Sequence, residues 1–269
     1  MTRREAGFTL IEIAIVVVII GLLLGGILTA REMIRGARVH SLANRGSAVK
    51  AAILGFGDRF SALPGDYAGA ASNLPGMANL SDHCAGAAGK RGPGNGDGNN
   101  RIGGLPEREE DLHSGCKRAD ELAFAWRHLV AAGFLAGSFD GKGEGVDEAE
   151  FNCRASTCPA NPYNGGMLLF FNHQQYTNDF EDPRADGTTN QLSSGRNIPV
   201  EVIAELDRKI DDGDPATGSF RIADFFVGGR GGAGKTRIDA CANDVNTTSN
   251  IVTWNIGGLN PDCGGIFLF

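Results

Sequence analysis

From residue 8 to residue 30 the chain reads FTLIEIAIVVVIIGLLLGGILTA, an apolar run of 23 residues broken by a single charge, Glu12. As a helix, about 20 apolar residues match the hydrocarbon thickness of a bilayer, so this end of the chain is suited to an apolar phase. Glu12 is the anomaly, because an acidic side chain inside a membrane helix costs roughly 2.5–3.5 kcal/mol on insertion scales. A cleaved secretory signal needs a shorter apolar region and a small-x-small site after it. Here the run is too long, and Leu28-Thr29-Ala30 puts Leu where a small residue belongs. A plain signal anchor fits the length, and Arg3 and Arg4 favour a cytoplasmic N-terminus. It gives no reason for Glu12.

The rest of the chain narrows the class. Its 269 residues suffice for one large domain or two small ones with a real core. A formal charge of −7, from 25 Lys and Arg against 32 Asp and Glu, argues against nucleic acid as a partner. Glycine supplies 40 residues, about twice ordinary usage, which predicts many turns and long loops. Six cysteines behind a membrane segment suggest disulfides formed in an oxidising compartment. Fifteen connectivities are open to six cysteines. Proximity in the chain alone favours Cys84–Cys116, Cys153–Cys158 and Cys241–Cys263.

The stretch Gly7-Phe8-Thr9-Leu10-Ile11-Glu12 resembles the cleavage and methylation motif of type IV pilins and of the pseudopilins of type II secretion. The resemblance implies that a prepilin peptidase cuts between Gly7 and Phe8, removes the leader 1–7 and methylates the new Phe8 amine. It also implies a role for Glu12: its carboxylate meets the Phe8 amine of a neighbouring subunit. A buried charge is tolerable beside an opposite partner, and such a pair fixes register. The implied partners are other pilin or pseudopilin subunits, the peptidase and the inner membrane. Before processing, the N-terminus is cytoplasmic and the head periplasmic, or extracellular once in a filament.

Beyond residue 30, apolar residues recur at Leu42, Val49, Ile53, Phe56 and Phe60, one helix face, until Pro64-Gly65 ends the run. A helix over 8–60 is predicted, about 80 Å long at 1.5 Å per residue. Segment 8–30 is its membrane or filament-core half, and 31–60 its amphipathic half. Gly21, Gly25, Gly26, Gly36, Gly46, Gly55 and Gly57 weaken it by about 1 kcal/mol each against Ala. The head, 61–269, is expected to carry helices over 119–132 and 199–211 and strands over 167–171, 220–227, 251–256 and 266–269. This is an α+β fold, pilin-like, with a mostly antiparallel sheet, rich in loops and stapled by disulfides. The stretches ALPGDY, GNGDGNNRI, AWRHLVAAGFLAGSF and KIDDGDPATGSFRI resemble, as a set, prepilin-type proteins with large heads.

Several motifs invite chemistry. Asn95, Asp97 and Asn99 alternate as in the first half of a Ca²⁺ loop, but Asn100 stands where an EF-hand needs Gly. A solvated turn competes with that reading. Asp211, Asp212 and Asp214 form a second acidic turn, and some pseudopilins hold Ca²⁺ in their heads. Residues 229–236 match the phosphate-loop pattern G-x-x-x-x-G-K-T, with Lys235 and Thr236 in the expected places. Yet no amphipathic helix follows, and too little chain remains for a nucleotide-binding sheet. His83-Cys84 and His113-x-x-Cys116 could be written as a zinc site, but a disulfide accounts for them more simply. No nucleophile, base and orienter set emerges, so the chain reads as a non-enzymatic filament subunit. Its rivals are a filament-displayed adhesin or cargo-binding minor pilin, and a membrane-anchored exported enzyme.

Overall fold

The computed structural model describes residues 9–80, 94–103, 118–143, 146–147, 152–172, 189–222, 241–243, 252–258 and 262–269. Helix α1 (Leu10–Phe60) runs unbroken for 51 residues, about 77 Å at 1.5 Å per residue. Thr9 caps its start, and Ser61, in the left-handed conformation, ends it with an N–H to the Gly57 carbonyl. Among the described residues, α1 is the one helix long and apolar enough to cross a membrane. Its first half is solvent-exposed along its whole length.

The second half of α1 carries the head. Its buried positions are Val39, Leu42, Gly46, Val49, Ala52, Ile53 and Phe56. Most of these steps are of three or four residues, which keeps one stripe against the head. The basic residues lie off that stripe and reach sideways. Arg45 donates to the Ala160 carbonyl, Arg38 sits 4.7 Å over the Tyr163 ring, and Arg35 pairs with Glu32 at 2.7 Å. Two glycines expected only to weaken the helix are docking points. A methyl at Gly46 would stand 2.6 Å from the Phe267 ring, and one at Gly55 2.7 Å from the Phe134 ring. Gly21, Gly25, Gly26 and Gly36 face open space.

Behind α1 lie α2 (Ala70–Asn73), α3 (Arg118–Ala131) and α4 (Val200–Ile210). Both α3 and α4 contact α1. The principal sheet is antiparallel, with β3 (Leu169–Asn172), β4 (Thr189–Ser193), β8 (Gly265–Leu268) and β5 (Phe220–Ile222) in that spatial order. Two short pairs flank it: β1 (Val146–Asp147) with β2 (Asn152–Cys153), and β6 (Ala242–Asn243) with β7 (Thr253–Trp254). The protein is therefore an α+β, pilin-like fold with a long N-terminal helix and an antiparallel head.

Differences from the sequence expectation have physical causes. Strand β4, sequence TNQLS, lacks an apolar alternation and was not expected. It nonetheless occupies the sheet interior, with Gln191, Leu192 and Ser193 fully buried. Hydrogen bonds offset part of this cost: buried Ser193 Oγ accepts from Gly195 N, and half-buried Asn190 Oδ1 accepts from Ile102 N. The strand expected over 251–256 shrinks to Thr253–Trp254, because Ile256–Gly258 turns as a 3₁₀ helix. Of the strand expected over 220–227, Phe220–Ile222 is present and 223–227 lies outside the described residues.

Two disulfides staple the head, Cys153–Cys158 with Cα atoms 6.0 Å apart and Cys241–Cys263 at 5.9 Å. Cys84 and Cys116 lie outside the described residues. The sequence separations are 5 and 22 residues. Loop-closure entropy then predicts unequal contributions, about 2 kcal/mol for the short loop and about 3 kcal/mol for the long one. Replacing each cysteine pair by serines and measuring denaturant unfolding of the full chain in detergent is expected to reproduce that order. The reverse order would contradict it.

Candidate functional site

The N-terminal site begins at a helix cap. Thr9 Oγ1 accepts from Glu12 N at 3.3 Å. In return, Glu12 Oε2 accepts from Thr9 N at 2.8 Å and from the Thr9 hydroxyl at 2.7 Å. This reciprocal capping box satisfies main-chain donors that the first helical turn leaves open, and it puts the carboxylate at the positive end of the helix. The signal T-L-I-E was present in the sequence, yet only the charge of Glu12 drew notice there. Gly7 and Phe8 lie outside the described residues.

A second site forms where the ALPGDY turn meets the NGDGN loop. Asp66, 1% exposed, accepts from three successive main-chain N–H groups: Gly98 at 2.7 Å, Asn99 at 3.0 Å and Asn100 at 2.7 Å. Glu121 of α3 accepts from Asp97 N at 3.2 Å and Gly103 N at 2.9 Å. His128, about two turns further along α3, receives Gly65 N on Nδ1 at 2.9 Å and meets the Gly94 carbonyl through Nε2 at 2.8 Å. Gly96 is required here, since a methyl would collide with the Asp66 main chain. The loop is thus clamped to α3 and to the turn that follows α1.

Within this clamp the alternating triplet has different partners from those expected. Asn95 Oδ1 accepts from Ala71 N at 2.6 Å, and Asn99 Oδ1 accepts from Arg101 N at 2.7 Å. The carboxylates that meet at Asp97 come from afar: Asp66, Asp97 and Glu121 place one oxygen each within 4.8 Å of one another. Burial, and then the Asp97 carboxyl beside it, push Asp66 up to about 6, against the Asn99 and Asn100 N–H groups. Such a set can share a proton or hold a cation.

The acidic turn after α4 is rearranged in the same way. Asp207, Asp211 and Asp212 bring one oxygen each within 4.8 Å. Asp214 instead closes the turn: its N–H donates to Asp212 Oδ1 at 2.9 Å, and its Oδ1 accepts from Ala216 N at 2.9 Å. Asp212 also accepts from the Thr217 hydroxyl, which holds its carboxyl below the usual range. Asp207 was overlooked in the sequence because it stands among the apolar residues of an amphipathic helix. The phosphate-loop-like residues 229–236 and the His83, Cys84, His113, Cys116 group lie outside the described residues.

Residues 2–28 match the family described as the prokaryotic N-terminal methylation motif. That motif is the type IV pilin-family signature, and this chain carries it. No curated protein and no solved structure matches the chain significantly. The signature belongs to a structural family and not to an enzyme family, and in general it implies assembly with other pilin subunits.

Proposed function

We propose that the chain is a structural subunit of a type IV pilus or type II secretion pseudopilus, cleaved by prepilin peptidase after Gly7 and polymerised through its N-terminal helix. One observation carries this reading: the signature at 2–28 coincides with the exposed apolar half of a helix whose other half is buried in a head. One half of a helix so divided has no partner among the described residues of its own chain, and packing against other copies of such helices would cover it. Segment 8–30 anchors the subunit in the inner membrane before assembly, and the head is exported. Neutralising the new Phe8 amine is the task of Glu12 from a neighbouring subunit. The size of the head and its disulfides suit a minor, tip-proximal subunit.

N-terminal mass spectrometry of protein recovered from the native membrane or sheared-filament fraction tests the processing step. The expected chain starts at an N-methylated Phe8. A chain starting at Met1, or beyond Ala30, would overturn the filament reading and make the head an independent exported domain.

A further inference from the structure

We infer that Asp207, Asp211 and Asp212 form a binding site for a hard divalent cation of the calcium class, at the C-terminal end of α4. Three independent features converge there. The first is geometric: one carboxylate oxygen from each residue lies within 4.8 Å of the others, close enough to share one ion. The second is an orphan atom. Asp207 is 0% exposed, and its Oδ2 accepts from Trp254 Nε1 at 2.7 Å, while Oδ1 has no hydrogen-bond partner among the described residues. The Gly213 main-chain N–H favours the charged form of Asp207, yet Oδ1 itself is left without a hydrogen bond among the described residues. A buried carboxylate oxygen left this way is costly unless something positive reaches it. The third is placement. The last turn of a helix carries partial negative charge from its open carbonyls, which disfavours carboxylates and favours cations. Here three carboxylates crowd that end.

The positive side chains of the same turn point to other partners. Arg208 Nε donates to the Ala204 carbonyl at 3.1 Å, and Lys209 Nζ meets His40 Nε2 at 2.7 Å. Arg221 acts on Asp212 from a distance, and its Nε donates to the Gly218 carbonyl. The three ligands offer oxygen only, with neither thiolate nor imidazole among them, which selects hard cations over zinc or copper. Three carboxylates on a helix end and its following turn suit Ca²⁺, which accepts many oxygens in flexible geometry, better than Mg²⁺, which keeps its waters. A cation here would tie α4, the 211–214 turn and, through Trp254, strand β7 into one unit. Asp211 extends the tie to β5, since its Oδ2 accepts from Phe220 N at 2.7 Å.

The test uses the full chain in detergent with Tb³⁺ as a luminescent stand-in for Ca²⁺. Trp254 is hydrogen-bonded to one proposed ligand and would sensitise the emission. Expected is saturable emission displaced by Ca²⁺ at about millimolar concentration or below, the range of extracellular Ca²⁺ modules. Thermal unfolding is expected to shift upward in Ca²⁺ relative to EGTA, because the ion binds the folded chain alone. Asp207→Asn and Asp212→Asn are each expected to weaken binding about tenfold or more through loss of ligand charge. Asp212 is exposed, so its variant separates a binding defect from a folding defect. Absence of saturable binding would overturn the site. So would binding that survives both variants, or binding lost only in Asp97→Asn, which would assign the ion to the Asp66, Asp97 and Glu121 cluster.

Discussion

A chain carrying Glu12→Gln is expected to reach the membrane at wild-type level and to be found in sheared filaments at least about a hundredfold less. Breaking a buried ion pair by removing one partner costs roughly 3–5 kcal/mol, because the other charge stays behind unpaired, and each 1.4 kcal/mol is tenfold. Glutamine is the informative replacement because it separates the cap that Glu12 makes from the inter-subunit pairing proposed for it. In the single subunit the carboxylate closes the capping box with Thr9. Gln fills that position in capping boxes as well, so the helix start survives while the charge is lost. Thr9→Ala does the opposite: it keeps the charge and removes the cap, at a cost of about 1 kcal/mol. Immunoblots of sheared and membrane fractions for both variants separate the roles. If Glu12→Gln assembles normally and Thr9→Ala does not, Glu12 serves its own helix and the inter-subunit pairing is wrong.

The two ends of this molecule were unequally legible. The apolar run, the charge within it and the stripe from Leu42 to Phe56 obey local rules, and the structure keeps them as one helix. Helix α4 was equally plain, since Pro199 stands at its start and its apolar face marks the buried side, while Asp211 caps its end. Long-range contacts were not legible. Gly46 and Gly55 look like helix breakers until the Phe267 and Phe134 rings are seen against them. Strand β4 looks like a loop because most of its side chains are polar, and the contact that helps to seat it, Ile102 N on the half-buried Asn190, comes from far away in sequence. The acidic sites failed for the same reason. Spacing within NGDGN suggested ligands from one loop, whereas the carboxylates that meet Asp97 come from the ALPGDY turn and from α3. Asp207 read as one polar position on an amphipathic helix, and only burial and the Trp254 bond distinguish it.

His128→Phe is expected to destabilise the head by about 4 kcal/mol at pH 7.5, since each stranded polar group costs about 1–3 kcal/mol. The ring itself is replaced, because His128 lies between Phe56 and Phe124 with both centroids 6.1 Å away and nearly parallel planes. What is lost is the link between the Gly65 N–H and the Gly94 carbonyl. Since Nδ1 accepts a hydrogen bond, the native imidazole is neutral with its proton on Nε2. Burial pushes His128 down to about 4 from an ordinary 6.5, against the Gly94 carbonyl, which favours the charged ring. The unfolded chain therefore binds a proton that the native chain refuses between those values. The stability involved is intact above pH 6.5 and is lost as pH falls toward 4. At pH 5 the wild type has given up about 2 kcal/mol through this one residue, whereas the Phe variant has nothing to lose. Asp66 and Asp207, both pushed up to about 6 by burial, work in the opposite sense: they favour the folded chain as pH falls below 6. The wild-type curve alone can therefore look flat, and the difference between variant and wild type, measured by denaturant unfolding in EGTA, isolates His128. That difference is expected to halve, from about 4 to about 2 kcal/mol, between pH 7.5 and 5. A constant difference would mean that His128 takes up its proton in the folded head as readily as in water, which the Gly65 N–H facing Nδ1 forbids.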